Sequence, residues 1–170
     1  MKRAAETISN MREELLPLAP ADALNKIGLK LLSTLGGASG PLFASFFMSM
    51  AKTLKENGAN STLEVAAAFA AGVQAVMQRG KAQAGEKTML DVLVPVSRHF
   101  TTSAAKADNP HTIANALKQV ADTGLESTRN MLATKGRAAG LGERAIGHLD
   151  AGAKSCQVMT HAVCNLILGE

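Results

Sequence analysis

The sequence predicts an all-α protein, and three observations carry the prediction. Among 170 residues there is no Trp or Tyr and only five Phe, against a large surplus of Ala, Leu and Met. Helices favour Ala, Leu, Met, Lys and Glu, whereas strands favour aromatic and β-branched residues. Gly and Pro fall between stretches whose apolar residues recur at helical spacing, and no convincing strand emerges. The length suits one domain, 1–170, large enough to bury a core.

Seven helical segments follow in order. The first spans about 2–16 and is stopped by Pro17 and Pro20. The second covers about 21–35, with Leu24, Ile27, Leu31 and Leu35 on one face. Pro41 suits the first turn of the third, which continues to about Asn57. Ser61 with Glu64 forms a capping box for the fourth, in which Leu63, Ala66, Phe69, Val73 and Val76 share a face and Gly80 suits a C-terminal cap. The fifth, about 89–106, contains Pro95, which predicts a kink or a late start. Asn109-Pro110 opens the sixth, predicted to run to about Thr134 with Ile113, Leu117, Val120, Gly124 and Met131 on one stripe. The last ends near Leu168, with Cys156, Met159, Val163 and Leu166 facing one way.

Charge and cysteine usage narrow the function classes. A net charge of +4 is mild, and the stacking aromatics that single-strand binders use are missing, which argues against nucleic acid. Cys156 and Cys164 are eight positions apart, roughly 12 Å along a helix, too far for a disulfide. Buried thiols in a reducing compartment are expected. No signal peptide is recognisable, and the charge-free stretch 31–51 is broken in its middle by Gly-Gly-Ala-Ser-Gly-Pro, so no membrane span is expected. The protein reads as cytoplasmic.

Three glycine-rich loops hold the candidate chemistry. In the first, Gly36 to Gly40, small residues including Gly37, Ala38 and Ser39 precede a helix N-terminus, which suits an anion and equally suits a plain tight turn. The second, Gly80 to Thr88, departs from a P-loop because Glu86 interrupts Gly-Lys and a helix precedes it. Lys81, Lys87 and Thr88 still suit phosphate contact there, although a solvated basic loop is the commoner outcome. The third, Lys135 to Gly152, brings Arg137 and Arg144 for phosphate, Asp150 for a ribose hydroxyl, a metal or an arginine, and His148, more often structural than catalytic. His99, His111 and His161 show no metal-ligand spacing, and no metal-ligand set is assigned. Because the three loops follow alternate helices, an up-and-down bundle would gather them at one end, pointing to a nucleotide or sugar phosphate.

These loops carry a family resemblance. G-G-A-S-G-P-L-F (36–43), R-G-K-A-x-x-G-E-K-T-M-L-D-V-L-x-P (79–95) and A-T-K-G-R-A-x-x-L-G-E-R-x-I-G-H-x-D-x-G-A (133–153) resemble the nucleotide-binding L subunit of bacterial dihydroxyacetone kinases and the matching C-terminal domain of the single-chain kinases. The resemblance covers essentially the whole chain. It implies an antiparallel up-and-down helical barrel, with seven of the family's eight helices present. It also implies bound ADP or ATP, a dihydroxyacetone-binding K subunit as acceptor, and a phosphoryl-carrier protein of the phosphotransferase system as donor. By resemblance Ala38 and Ser39 contact the phosphates, Gly80 and Met89 line the pocket, Arg137 holds the transferring phosphoryl group, and Asp150, Ala151 and Gly152 close the base or ribose side.

Several departures modify that expectation. Glu86 stands where the family often has Asp, Ala139-Gly140 replaces a commoner Ser-Tyr, and Ala151 replaces a Pro. The family's acidic motif G-D-x-D-H-G-x-N-M, whose aspartates bind two Mg²⁺ ions, is not present, and Met1-Lys2-Arg3 resembles the residues just after it. The resemblance therefore implies a chain beginning at an internal Met, without the first helix and with weakened activity, since phosphoryl transfer needs metal to neutralise developing charge. Asp91 and Asp150 are isolated in sequence and offer no replacement. A missing helix would also expose apolar surface and favour self-association. Two other readings are a non-catalytic helical module that binds a partner, and a kinase subunit for another short-chain ketose such as erythrulose.

Overall fold

The computed structural model describes residues 2–170, apart from the side chains of Lys2, Arg3 and Arg137. All regular structure among the described residues is helical: α1 (Lys2–Ser9), α2 (Arg12–Leu15), α3 (Pro20–Thr34), α4 (Ser39–Asn57), α5 (Thr62–Gly80), α6 (Leu90–Ala105), α7 (Pro110–Ser127) and α8 (Ala151–Leu168), with 3₁₀ turns at 128–130 and 137–145. The helices fall into two compact units, 1–81 and 82–170. No described helix is long and apolar enough to cross a membrane.

In the first unit α4 packs on both α3 and α5, and the short links between them make each pair an antiparallel hairpin. Leu31, Phe43, Phe46, Ala51, Ala66, Ala68, Val73 and Val76 are buried there. Phe46 meets Phe47 and Phe69 edge to face, each at 5.3 Å between ring centroids. Gly72 permits this approach, since a Cβ there would lie 2.9 Å from Phe46 Cδ2 and Met50 Cγ. The capping box forms as expected: Glu64 N donates to Ser61 Oγ at 3.2 Å, and Ser61 N donates to Glu64 Oε2 at 3.1 Å. Leu63, expected on the buried face, is 51% exposed, because it falls in the first turn beside the cap.

The second unit is built on α7, which packs against α6 and α8. Asn109 caps α7 by accepting from His111 N at 2.8 Å, with Pro110 in the first turn. Pro95 sits inside α6, so the carbonyl of Asp91, four residues earlier, has no helical donor. Gly124 of α7 lies directly against that carbonyl; a Cβ there would be 2.5 Å from Asp91 O. On α8 the buried row follows the i, i+4 ridge through Cys156 and Cys164, leaving Val163 at 60% and Leu166 at 82% exposed, against the sequence expectation. Both thiols are free, and burial pushes each above its ordinary pKa.

Three other boundaries differ from expectation. The first segment breaks at Asn10–Met11 into α1 and α2. The left-handed residue ending α5 is Lys81 (φ 46°), because Gly80 is still helical. The sixth segment ends at Ser127 rather than near Thr134. There the Ser127 and Thr128 hydroxyls donate to Gly124 O and Leu125 O at 2.7 Å, and the chain tightens into a 3₁₀ turn.

Helix α6 ends in a Schellman motif, with Asp108 N bonded to Ser103 O and Ala107 N to Ala104 O, both at 3.1 Å. Its left-handed residue is Ala107, at φ 56°. An L-residue pays roughly 1 kcal/mol for that conformation and glycine does not. Ala107→Gly is accordingly expected to raise stability by about 0.5–1 kcal/mol in a urea melt. A lower midpoint would show that the Ala107 methyl packs usefully.

Candidate functional site

The second and third glycine-rich loops meet within the second unit, and Asp91 and Lys87 organise the meeting. Asp91, in the first turn of α6, is 4% exposed. Its Oδ1 accepts from Gly85 N at 2.5 Å and its Oδ2 from Thr88 N at 2.6 Å, so one carboxylate holds the second half of the second loop. Thr88 Oγ1 accepts from Leu90 N at 3.2 Å, and Met89, 8% exposed, is the N-cap residue of α6.

Lys87 is 3% exposed and adopts a left-handed backbone, φ 58°. Its ammonium donates to Thr128 O at 2.5 Å, His148 O at 2.7 Å and Arg129 O at 3.4 Å. Glu86 adds an outer link, accepting from Gln83 N at 2.7 Å and from Thr134 Oγ1 at 3.0 Å, with Lys135 at 3.9 Å. The Gln83 N–H holds the Glu86 carboxyl below its ordinary pKa; burial opposes it, and Thr134 and Lys135 add lesser support.

The far end of the third loop is tied to the same point. Fully buried Thr128 accepts from Asp150 N at 3.0 Å, and Gly147 N donates to Arg129 O at 2.8 Å. Asp150 caps α8, its Oδ2 accepting from Ala153 N at 2.7 Å. Burial pushes its pKa up, and the nearby Asp91 charge adds to this, while the Ala153 and Gly152 amides and Lys87 oppose it. The fold thus brings the two carboxylates isolated in sequence within electrostatic reach, with the Lys87 charge also acting on Asp150. Gly152 leaves room for the approach, since a Cβ would lie 2.9 Å from Asp150 Oδ2 and 3.4 Å from Met89 N.

The first loop belongs to the first unit. Gly37 (φ 69°), Ala38 and Ser39 are exposed, and no side chain caps the N-terminus of the 19-residue α4. Gly40 is buried because Leu35 O passes close; a Cβ would sit 2.4 Å from it. Uncapped N–H groups beside small, exposed residues suit a phosphate. Among the described residues no group of three or more His, Cys, Asp or Glu side chains is placed to hold a metal ion.

The DAK2 domain pattern matches residues 1–165, a span that includes all three loops. The chain belongs to the DAK2 domain family. It is 40% identical over 154 residues to the ADP-binding subunit DhaL of the PEP-dependent dihydroxyacetone kinase of Escherichia coli (strain K12), covering 89% of this chain and 73% of that one. With the ADP-binding subunit DhaL of the PTS-dependent dihydroxyacetone kinase of Lactococcus lactis subsp. lactis (strain IL1403) it shares 37% over 147 residues, covering 86% of this chain and 68% of that one. The native-form crystal structure of the dihydroxyacetone kinase of C. freundii superposes with a TM-score of 0.73 at 26% identity, over 96% of this chain and 27% of the kinase. These relatives are kinases or their subunits, so this DAK2 chain sits in a family of phosphotransferases.

Within the DAK2 domain the sequence-predicted residues separate by position. Lys87, Thr88, Met89, Asp150, Ala151 and Gly152 are brought together by the contacts above. Gly37, Ala38 and Ser39 lie at the start of α4, and Gly80 ends α5. Arg137 begins the 3₁₀ turn of the third loop, and its side chain lies outside the described residues. The ammonium of Lys87, expected to face phosphate, is turned onto three carbonyls. Sequence reasoning missed Thr128 and the clamping role of Asp91. Asp91 three residues after Thr88, in a helix's first turn, resembles a cap signal and was open to discovery; Thr128 had no local signal. An open cleft of about 580 Å³ lies beside the clamp, walled by Val94, Pro95, Arg98 and His99 of α6 and by Val120 and Met131. None of the described residues expected to bind nucleotide lines it.

Proposed function

We propose that this chain is the ADP- or ATP-binding subunit of a dihydroxyacetone kinase, passing a phosphoryl group from nucleotide to dihydroxyacetone held on a partner K subunit. A phosphoryl-carrier protein of the phosphotransferase system would regenerate the nucleotide in place. The observation that carries the reading is the family match across residues 1–165, all three glycine-rich loops included. The uncapped start of α4 supports it: Gly37, Ala38 and Ser39 offer backbone N–H groups to phosphate oxygens. Met89 and Gly80 would line the pocket, Asp150, Ala151 and Gly152 would bound the base or ribose, and Arg137 would stabilise charge on the transferring group. Among the described residues no group of three or more His, Cys, Asp or Glu side chains is placed to hold magnesium.

The test is calorimetric titration of ADP into the chain, with and without Mg²⁺, beside the Escherichia coli relative. Binding that is weaker than the relative's and little changed by chelation is expected. Equal affinity that collapses on chelation would show a metal site these residues do not form, and no binding at all would sink the reading. A second reading, a non-catalytic partner-binding module, draws on the exposed apolar side chains of α8: Val158, Val163, Leu166 and Ile167. It would be favoured by concentration-dependent association without any nucleotide binding.

A further inference from the structure

We propose that Lys87 is a positioning residue: its buried ammonium joins the end of α7 to the far end of the third glycine-rich loop and so holds that loop in place for a nucleoside diphosphate without touching the phosphates. The proposal rests on the nucleotide reading above. An ammonium has three N–H donors and no acceptor. The donors of Lys87 face three acceptors, Thr128 O, His148 O and Arg129 O, and the side chain is 3% exposed. That leaves no donor for a ligand, although lysine beside a glycine-rich loop would ordinarily be read as a phosphate contact. Lys87 has a left-handed backbone and is buried, while Gly85, two residues earlier, is exposed.

The positions of the acceptors give the lock its purpose. Thr128 and Arg129 stand where α7 ends, and His148 stands just before the cap of α8. One cation therefore closes the base of the loop that carries Arg137. Thr128 completes the closure, its carbonyl accepting from Lys87 and its hydroxyl from Asp150 N. Gly147 N on Arg129 O, and the Arg129 guanidinium on Gly147 O at 3.2 Å, tie the same two strands of chain. A loop held closed before its ligand arrives binds without the entropic cost of ordering. Lys87 also sets a positive charge beside Asp150, whose cap fixes Gly152 and the start of α8.

The test compares ADP with adenosine on the full chain. In Lys87→Met both ligands are expected to bind about tenfold more weakly, the size of effect typical of residues that orient a binding group. In the ligand-free protein the amides of Gly147 and Asp150 should lose hydrogen-exchange protection while α3–α5 keep theirs. Weaker ADP binding with adenosine unchanged would assign Lys87 a direct phosphate contact and overturn the proposal. Unchanged affinity for both ligands would reduce Lys87 to a framework residue and overturn it equally. Should Lys87→Met not fold, Thr128→Val keeps the ammonium and its carbonyls but removes the hydroxyl under Asp150 N. A parallel loss for ADP and adenosine, about threefold as one neutral hydrogen bond predicts, is then expected, and no loss overturns the lock. If the wild type binds neither ligand the nucleotide reading fails by itself, and the exchange measurement alone decides whether Lys87 closes the loop.

Discussion

Replacing Asp91 with alanine is expected to destabilise the protein by about 3 kcal/mol and to release the second loop. Hydrogen bonds to a charged acceptor contribute about 1.5–3 kcal/mol each. Asp91 makes two, to Gly85 N and Thr88 N, from a site 4% exposed. Water replaces part of the loss at exposed Gly85 but less at half-buried Thr88, which sets the estimate below the sum of the two. Asn at this position retains one acceptor oxygen, so Asp91→Asn should lose about half as much. Removing the Asp91 charge also takes away one cause of the raised Asp150 pKa, which should move toward its ordinary value. Urea denaturation measures the first effect and carboxyl NMR titration the second. An Asp91→Ala midpoint equal to that of the wild type would show that water serves both amides as well as the carboxylate does.

Gly124→Ala is expected to cost about 2 kcal/mol even though alanine is the better helix former. The propensity gain inside α7 is about 1 kcal/mol. Against it, the new methyl would stand 2.5 Å from Asp91 O and 3.1 Å from Val92 Cα. Both are backbone atoms, so no side chain can swing aside, and overpacking of this kind costs roughly 1–3 kcal/mol or more. The clash wins. Because the obstructed carbonyl belongs to Asp91, parting α6 from α7 also disturbs the second loop, so exchange at Gly85 and Thr88 should rise together with the drop in thermal midpoint. A raised midpoint would mean that the helices separate freely, and would remove the packing explanation for this glycine.

Helix N-terminal signals, which need only local interactions, are legible in the sequence. The Ser61–Glu64 box and the Asn109–Pro110 start each need only a few adjacent residues, and each forms as expected. The class, all-α, follows from composition and period, since helical hydrogen bonds join residues four apart. Side-chain direction was less legible. Leu63, Val163 and Leu166 fit a helical stripe by spacing, yet all three are exposed, because which face is covered depends on where the neighbouring helix passes. The end of α7 was also misplaced, since the apolar period continues through Met131 while the Ser127 and Thr128 hydroxyls tighten the turn before it.

The candidate site divides along the same line. The three loops, their glycines and their family resemblance are properties of sequence. What Lys87 does with its charge was settled only by tertiary structure. Its carbonyl partners lie 41, 42 and 61 positions away. The pairing of Asp91 with Asp150 in one electrostatic neighbourhood arises in the same way, across α7 and the whole third loop. A lysine on a glycine-rich loop carries the same letters whether it faces solvent, phosphate or three backbone oxygens. Sequence determined the helices and the loops; only the fold decided that the cation of the second loop closes the third, because that choice depends on which carbonyls lose water when the chain packs.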